Sequence, residues 1–573
     1  MHHSHWNLLP PAPDQYLVNT SGFSRLIAQL LYNRGLAEPS QSELFISADK
    51  RLSGNPLLLP NMPRAVARVY QALLTGENMA IYGDFDVDGI TATALLVQGL
   101  STLGGKITPY IPHRLTEGYG LKTAALEKLR RQGISLVITA DCGITALPEV
   151  QKAQRMGLDI IVTDHHTPPA VIPHATAVIN PKLPDTAYPF SDLAGVGVAL
   201  KLLQALFQSI GKEKQLNELT DLVALGTIAD MVPLLGENRY LVKQGLKLIN
   251  ATPRLGIRHM ITQAGLNIGR LDSGNISWTI APRLNTAGRL AHAMASYKLL
   301  MTDSPPEAQQ LTAWLEQKNT ERQRLTTKVL AKARKQILTE MISPLLIASD
   351  NDYPSGIAGL VASRLSEEFY RPAIVIKTGE QTSTGSCRSI PEFNIILALN
   401  QCSNLFSRFG GHSQAAGFTL PTKNLPLLTQ HLSQLAATQL AGVDLHPHLD
   451  IDAELTLPDL SGDTFPTIQQ LAPFGEGNPL PTFLSRRVEV MDCRTMGSNR
   501  AHLKLKLGQG GTKWDAVAFG WGNYLTEVTS PLDIVYNLEI DRWGGGERLR
   551  LNILDFAPSG KSSSLRQPLV SPS

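Results

Sequence analysis

The sequence predicts an α/β protein in several parts: a parallel sheet with crossover helices, a long connecting helix, a second α/β segment and a small C-terminal β-barrel. Three observations lead there. Strand-length apolar runs alternate with amphipathic stretches in the first part of the chain; a polar helical pattern follows the pair Pro305-Pro306; and the C-terminal part switches to two-residue alternation with Gly-rich turns. The length, 573 residues, exceeds what one core organises, since domains average about 150 residues.

Residues 1–65 form a preamble rich in Pro and Asn, with a helix expected over 24–33. Its start, MHHSHWNLLPPAP, lacks the basic-then-apolar layout of a signal peptide. It reads as a disordered end in which His2, His3 and His5 bind metal at most weakly. Over 66–304 the runs MAIYG, LVITA, DIIVT and TAVIN alternate with stretches such as TATALLVQGLSTLGG, the pattern of parallel strands with helical crossovers. From about 195 this region becomes mostly helical.

A helix is expected over 305–342, where Leu311, Trp314, Leu315, Leu325, Val329, Ala333 and Ile337 recur at helical spacing among Lys, Arg and Glu. It reads as a connector between domains, the alternative being a helix packed inside one of them. The second α/β segment, 343–455, contains PLLIAS, GIAGLVASRLSEEF and PAIVIK. In 456–560, HLKLKLGQ alternates Leu503, Leu505 and Leu507 with Lys504 and Lys506, a half-buried strand. WDAVAFGW, DIVYNLEIDRW and LRLNILDF continue the pattern, which suits a barrel of the oligonucleotide-binding type. The tail 561–573 is expected to be disordered.

Composition narrows the class. With 43% hydrophobic and 18% charged residues the chain is an ordinary globular protein, and a net charge of +3 confines any nucleic-acid site to a local patch. Cys142, Cys387, Cys402 and Cys493 show no CxxC pairing, which argues against a zinc site or disulfide framework and for a reducing compartment. No apolar run approaches the ~20 residues that span a membrane, so a cytoplasmic protein without a membrane partner is expected.

Three expected strands run into an aspartate. AIYGDFDVDG carries Asp84, Asp86 and Asp88; VITADCG carries Asp141; IIVTDHH carries Asp164, His165 and His166. In open α/β sheets the carboxyl ends of the strands border the ligand crevice, so these residues should converge. An Asp between strand and helix is often only an N-cap, worth about 1 kcal/mol. Asp84, Asp86 and Asp88 alternate, however, and in an extended segment all would project to one side, where a divalent cation offsets their repulsion. Gly89 would let the backbone turn sharply. His165 and His166 can share a site only if the chain has left the strand, which Pro168 and Pro169 favour. Asp230 ends the apolar stretch LVALGTIADMVPL, where an unpaired carboxylate is costly to bury. Asp84, Asp86, Asp88, Asp141, His165, His166 and Asp230 are too many ligands for one ion with open positions. They suit two, Mn2+ or Mg2+, ~3.5–4 Å apart and clamping an in-line displacement at phosphorus. Asp164 is assigned to orienting a histidine.

These residues carry a resemblance. TDHH, with DFDVDG, ADCG and GTIADMVPL in order around it, resembles the DHH phosphoesterase superfamily. APRLNTAGRL, FGGHSQAAGFTL and APFGEGNPLPTF are similar to stretches of its RecJ family of single-strand-specific 5′→3′ DNA exonucleases. The resemblance covers most of the chain. It implies a DHH catalytic domain, a long helix, a DHHA1 domain closing a narrow channel, and an oligonucleotide-binding barrel. It implies an exonuclease acting in DNA repair and recombination, with single-stranded DNA as partner; single-strand-binding protein and a helicase stand as candidate protein partners.

The resemblance also implies a grip on the 5′ phosphate by Arg114, Arg283, Ser386 and Arg388, and Arg presents a planar fork suited to phosphate. Arg283, Asn285 and Arg289 cluster in APRLNTAGR. Gly410 and Gly411 leave His412 free to meet a phosphate. The plain alternative for Arg114 and Arg283 is a solvated surface. Tyr119, Tyr353, Trp514, Trp521 and Trp543 are candidate base-stacking sites, with core packing the alternative for the Trp residues. The chain departs from the family pattern at Asp352-Tyr353-Pro354-Ser355-Gly356, where a Trp and a His are missing, and at Cys387, which replaces a glycine. Two other functions compete: a phosphodiesterase on nano-RNA or cyclic dinucleotides, which the long helix and barrel disfavour, and a non-catalytic scaffold binding single-stranded DNA, which would be expected to have lost metal ligands.

Overall fold

The computed structural model describes residues 4–560 except 115, 119, 185, 252–253, 340–342, 498 and 542–546. The expectations for His2, His3, Tyr119, Trp543, the end of the long helix and the tail 561–573 lie outside the described residues. The chain divides into two compact units, one of Glu43–Gln323 with Pro473–Pro479, the other of Met1–Ser42, Arg324–Ala472 and Leu480–Ser573. Among the described residues no helix is long and apolar enough to cross a membrane.

In the first unit, β1 (Asn78–Gly83), β2 (Lys106–Tyr110), β3 (Ile134–Ala140), β4 (Asp159–Thr163) and β5 (Ala177–Ile179) form an all-parallel sheet in the order β2-β1-β3-β4-β5. The four apolar runs fall on β1, β3, β4 and β5. The run KITPY of β2 was not legible as a strand, because Lys106 and Pro109 suit only an edge, and β2 is one. Chain order reverses between β1 and β3, so the carboxyl ends of these two strands flank a topological switch point. The helix Val87–Thr102 is buried on nearly every face, which explains its lack of amphipathic contrast. Helices Gly195–Gln208 and Thr220–Ala229 pack against it in one apolar core.

The long helix runs over Pro305–Leu338. Ala308 and Leu315 are buried in the core of the first unit, with Leu311 and Trp314 packed against it. In its C-terminal half, Val329, Ala333 and Ile337 are buried, and Gln336 bridges the Ser349 carbonyl and the Tyr353 hydroxyl.

The second unit holds a five-stranded sheet of β6 (Leu346–Asp350), β7 (Ala373–Lys377), β8 (Thr382–Arg388), β9 (Arg408–His412) and β10 (Ala415–Pro421), ordered β9-β10-β8-β7-β6. Only β6 and β7 run parallel. It also holds a barrel of β11 (Phe483–Met496), β12 (His502–Gln509), β13 (Thr512–Ala518), β14 (Leu532–Asp541) and β15 (Arg548–Pro558), which closes because β11 pairs with both β12 and β14. Leu503, Leu505 and Leu507 fill the barrel while Lys504 and Lys506 face out, as the alternation predicts.

The start of the chain departs from expectation. His5–Leu8 is a strand paired in parallel with His448–Ile451, and helices Asp14–Asn19 and Pro39–Ser47 flank the expected helix, which spans Arg25–Asn33 with Ser24 as its N-cap. From His5 onward the preamble is therefore ordered: Trp6 is buried beside Ile451, Leu484 and Val535, and its indole N–H donates to Asp555. So short a strand, with partners some 440 residues away (His5 opposite His448), leaves no local signature.

Candidate metal centre

Asp84, Asp141 and Asp164 each follow directly on a strand, and each backbone N–H donates to the last carbonyl of the neighbouring strand: Asp84 to Ala140 (3.2 Å), Asp141 to Thr163 (3.1 Å) and Asp164 to Ile179 (3.1 Å). The aspartates thus stand in equivalent positions along one sheet edge. Asp141 takes a left-handed backbone (φ 62°), a strained choice outside glycine and Asn/Asp. A Cβ on Gly195 would lie 2.5 Å from Asp141 Cβ, so only glycine admits the helix Gly195–Gln208 this close.

The segment after β1 is not extended. Asp86 is the N-cap of Val87–Thr102, accepting from Gly89 N–H (3.0 Å), and Asp88 lies in the helix's first turn. The one-sided projection expected of three alternating aspartates therefore does not apply, because the helix starts before Asp88. Asp88 instead accepts from the N–H groups of Gly195 (2.6 Å) and Val196 (2.8 Å), the unsatisfied donors of a second helix. Gly89 does not turn the chain; a Cβ there would strike the Asp84 backbone at 2.7 Å.

β4 ends at Thr163, so both histidines lie beyond the strand, as sharing one site requires. His165 Nε2 lies 3.1 Å from Asp141 Oδ1, 3.5 Å from Asp230 Oδ2 and 3.9 Å from Asp88 Oδ2. Asp164 Oδ1 accepts from the N–H groups of His165 and His166 and sits 2.7 Å from His166 Nδ1, while Oδ2 accepts from Ile144 N–H. Asp230 is the C-cap of Thr220–Ala229. Ligand atoms within 4.8 Å of one another form three overlapping groups: Asp84, Asp86 and Asp141; Asp141, His165 and His166; Asp88, His165 and Asp230. The seven residues expected to hold metal are thereby brought together.

The electrostatics fit cations. Burial, followed by the charge of Asp86, raises the carboxyls of Asp84 and Asp88 to about 7. Asp141 and Asp230 are pushed well above the carboxylate range by burial, then by Asp88 and Asp86. Burial, then His166, lowers His165 to about 3, which leaves its imidazole neutral with a lone pair to give. Burial disfavours charge on both Asp164 and His166, but their mutual hydrogen bond prevails, taking Asp164 to about 2 and His166 to about 9. Asp84 Oδ1, Asp141 Oδ1, Asp230 Oδ2 and both ring nitrogens of His165 are shielded from solvent without a hydrogen-bond partner. Buried polar atoms are seldom left so, and this donor set of carboxylate oxygens and neutral imidazole fits divalent cations.

Arg114 comes to the same place. Its guanidinium stacks on Phe85 (4.6 Å), and burial lowers its pKa against the opposing charges of Asp84 and Asp86. Asn285 Oδ1 accepts from Val87 N–H (3.1 Å), which ties the helix Ala281–Leu290 to the aspartate loop. Arg283 is engaged in a two-pronged pair with Glu316 (2.6 and 3.3 Å) and donates to Thr279 O, and Arg289 is half-buried at the end of its helix. In the second unit Ser386 is half-buried on β8, Arg388 donates to Cys387 O (2.8 Å) and lies beside Gly359, and His412 is exposed at the end of β9.

Cys387 is fully buried among Ile374, Phe393 and Phe418, so its side chain belongs to the core. Tyr353 is 1% exposed with its hydroxyl on Gln336, which overturns a stacking role there: the ring is out of reach of any base. Trp521 is buried and packs on Tyr524 and Phe556, the core-packing alternative. Trp514 is half-buried, with its indole donating to Leu457 O. Sequence reasoning passed over Asn180, which is buried and donates to His166 O (2.9 Å). It follows TAVI at a strand end, the position that singled out the aspartates.

Three family models match successive parts of the chain: DHH family, N-terminal domain over 78–227, DHHA1 domain over 336–438 and RecJ OB domain over 451–555. The single-stranded-DNA-specific exonuclease RecJ of Bacillus subtilis is 35% identical across 97% of this chain and 71% of its own length. The RecJ of Haemophilus influenzae is 34% identical across 88% of this chain and 91% of its own. The crystal structure of RecJ in complex with Mn2+ from Thermus thermophilus matches with a TM-score of 0.83 at 30% identity, across 97% of this chain and 79% of that one. Similarity at this level, sustained through all three domain matches, places the chain in the RecJ family.

Proposed function

We propose that this protein is a single-stranded-DNA-specific exonuclease that hydrolyses phosphodiester bonds from the 5′ end, with two divalent ions, Mn2+ or Mg2+, in DNA repair and recombination in the cytoplasm. The observation that carries this reading is the set of shielded, unpartnered carboxylate and imidazole atoms on one edge of the sheet. A scaffold without catalysis has no reason to bear the cost of that arrangement.

Asp84, Asp86 and Asp141 would hold one ion and Asp88, His165 and Asp230 the other, with His166 beside Asp141. Bound there, two divalent ions supply Lewis acidity to the phosphoryl oxygens and lower the pKa of an attacking water. The chain's own residues organise the rest. Asp164 holds Nδ1 of His166 and so fixes the ring beside Asp141. The amides of Gly195 and Val196 fix the Asp88 carboxylate. Arg114, braced on Phe85 beside Asp84 and Asp86, offers a cation to a terminal phosphate. In the second unit, Ser386, Arg388 and His412 are donors suited to nucleic-acid phosphate. The barrel, with Lys504 and Lys506 facing out, suits a single strand. An enzyme needing a free strand works alongside a helicase and single-strand-binding protein.

The test is an oligonucleotide labelled separately at each end, incubated with Mn2+, Mg2+ or EDTA. Mononucleotides released first from the 5′ end, only with metal, are the expected result. Cleavage of dinucleotides or cyclic dinucleotides alone, or binding without cleavage, would refute it.

A further inference from the structure

A second group of metal-ligand side chains lies in the other unit, where the first strand meets the segment leading into the barrel. His5–Leu8 pairs in parallel with His448–Ile451, and His5 N–H donates to Pro447 O (2.9 Å). This pairing sets His5 Nε2 at 2.8 Å from Asp444 Oδ2, while His446 Nδ1 lies 2.6 Å from Asp444 Oδ1. One ligand atom from each residue falls within 4.8 Å of the others. The rings of His446 and His448 stand 5.4 and 5.5 Å from that of His5. None of these residues belongs to the metal centre described above.

The bland reading is a carboxylate bonded by two imidazoles. Against it, His5 Nε2 is shielded from solvent and makes no aligned hydrogen bond despite its short approach to Asp444. Ligand bonds to a tetrahedral Zn2+ are about 2.0–2.2 Å, which sets donor atoms roughly 3.4 Å apart. The two imidazole separations from Asp444 would have to widen by less than about 1 Å, which side-chain rotation supplies.

We propose that His5, Asp444 and His446 form a further metal site for a Zn2+-type cation, stapling the first strand to the chain that enters the barrel. Two imidazoles and one carboxylate make a borderline donor set that favours Zn2+ over Mn2+ or Mg2+, and water completes the shell. Because His5 and Asp444 are remote in sequence, an ion shared between them stabilises the strand pairing directly.

The test uses the full-length protein, stripped of metal and then saturated with Mn2+ to occupy the centre in the first unit. Zn2+ is titrated into wild type, His5→Ala and His446→Ala, with bound equivalents and amide exchange of residues 5–9 measured. Wild type should bind one equivalent more than either variant, and Zn2+ should slow exchange of that strand in wild type alone. His446 lies outside the strand, so His446→Ala reports even if His5→Ala loosens it. Equal Zn2+ equivalents in wild type and His446→Ala, or equal protection of the strand by Zn2+ in the two, would overturn the proposal.

Discussion

Asp164 Oδ1 lies 2.7 Å from Nδ1 of His166 and also accepts from the backbone N–H groups of both histidines, so one carboxylate sets the tautomer, the ring plane and the local chain path. Asp164→Asn keeps the shape but weakens all of these. The concentration of Mn2+ giving half-maximal cleavage should rise about 10- to 100-fold, the usual cost of losing such a partner. An unchanged metal requirement would remove Asp164 from this role.

Asp141 sits within reach of both His165 and the Asp84–Asp86 pair. Asp141→Asn tolerates the left-handed backbone yet withdraws the charge. Cleavage should fall to background in an end-labelled oligonucleotide assay, and His165→Ala should do the same. The metal-free melting temperature of Asp141→Asn should not drop, since a repulsive buried carboxylate has gone. Activity retained at full metal would take either residue out of the ligand set.

Metal-free stability should depend on pH through Asp84 and Asp88. Their folded pKa values, about 7, lie above the unfolded value near ~4, so the folded protein holds protons the unfolded chain has released. That contribution is fully present below about pH 4 and is lost as pH rises through about 7. In EDTA the melting temperature of wild type should therefore fall across this window more steeply than that of Asp84→Asn, and Mn2+ at pH 7.5 should raise it more. Parallel curves for the two proteins would show that Asp84 does not titrate this way.

Arg114 adjoins the aspartate loop, whereas Arg283 is bound to Glu316. Arg114→Ala should reduce the preference for a 5′-phosphorylated over a 5′-hydroxyl oligonucleotide, and Arg388→Ala should weaken it too. Competition between the two substrates measures this. A preference intact in both variants would assign these arginines to structure.

Gly226→Ala tests packing under the site. A Cβ there would lie 2.3 Å from Thr91 Oγ1 and 2.8 Å from Asp88 Oδ1. Overpacking of this kind costs about 1–3 kcal/mol, and it would displace Asp88 as well. Denaturant melts should show the loss together with a raised metal requirement, and wild-type behaviour in both would mean that the helices Val87–Thr102 and Thr220–Ala229 separate freely.

The sequence by itself determined the strands of the first sheet except the polar edge β2, and the aspartates at their carboxyl ends. Strand spacing and chain direction are local properties, and parallel topology then carries Asp84, Asp141 and Asp164 to one edge whatever the details of packing. Tertiary structure alone decided what each side chain meets there. Asp88 is held by amides of Gly195 and Val196, Arg283 by Glu316, and Tyr353 is sealed into a core, while His5 reaches Asp444 across most of the chain. Periodicity records how a segment is buried but not by what, because the partner's identity depends on how distant helices and strands pack.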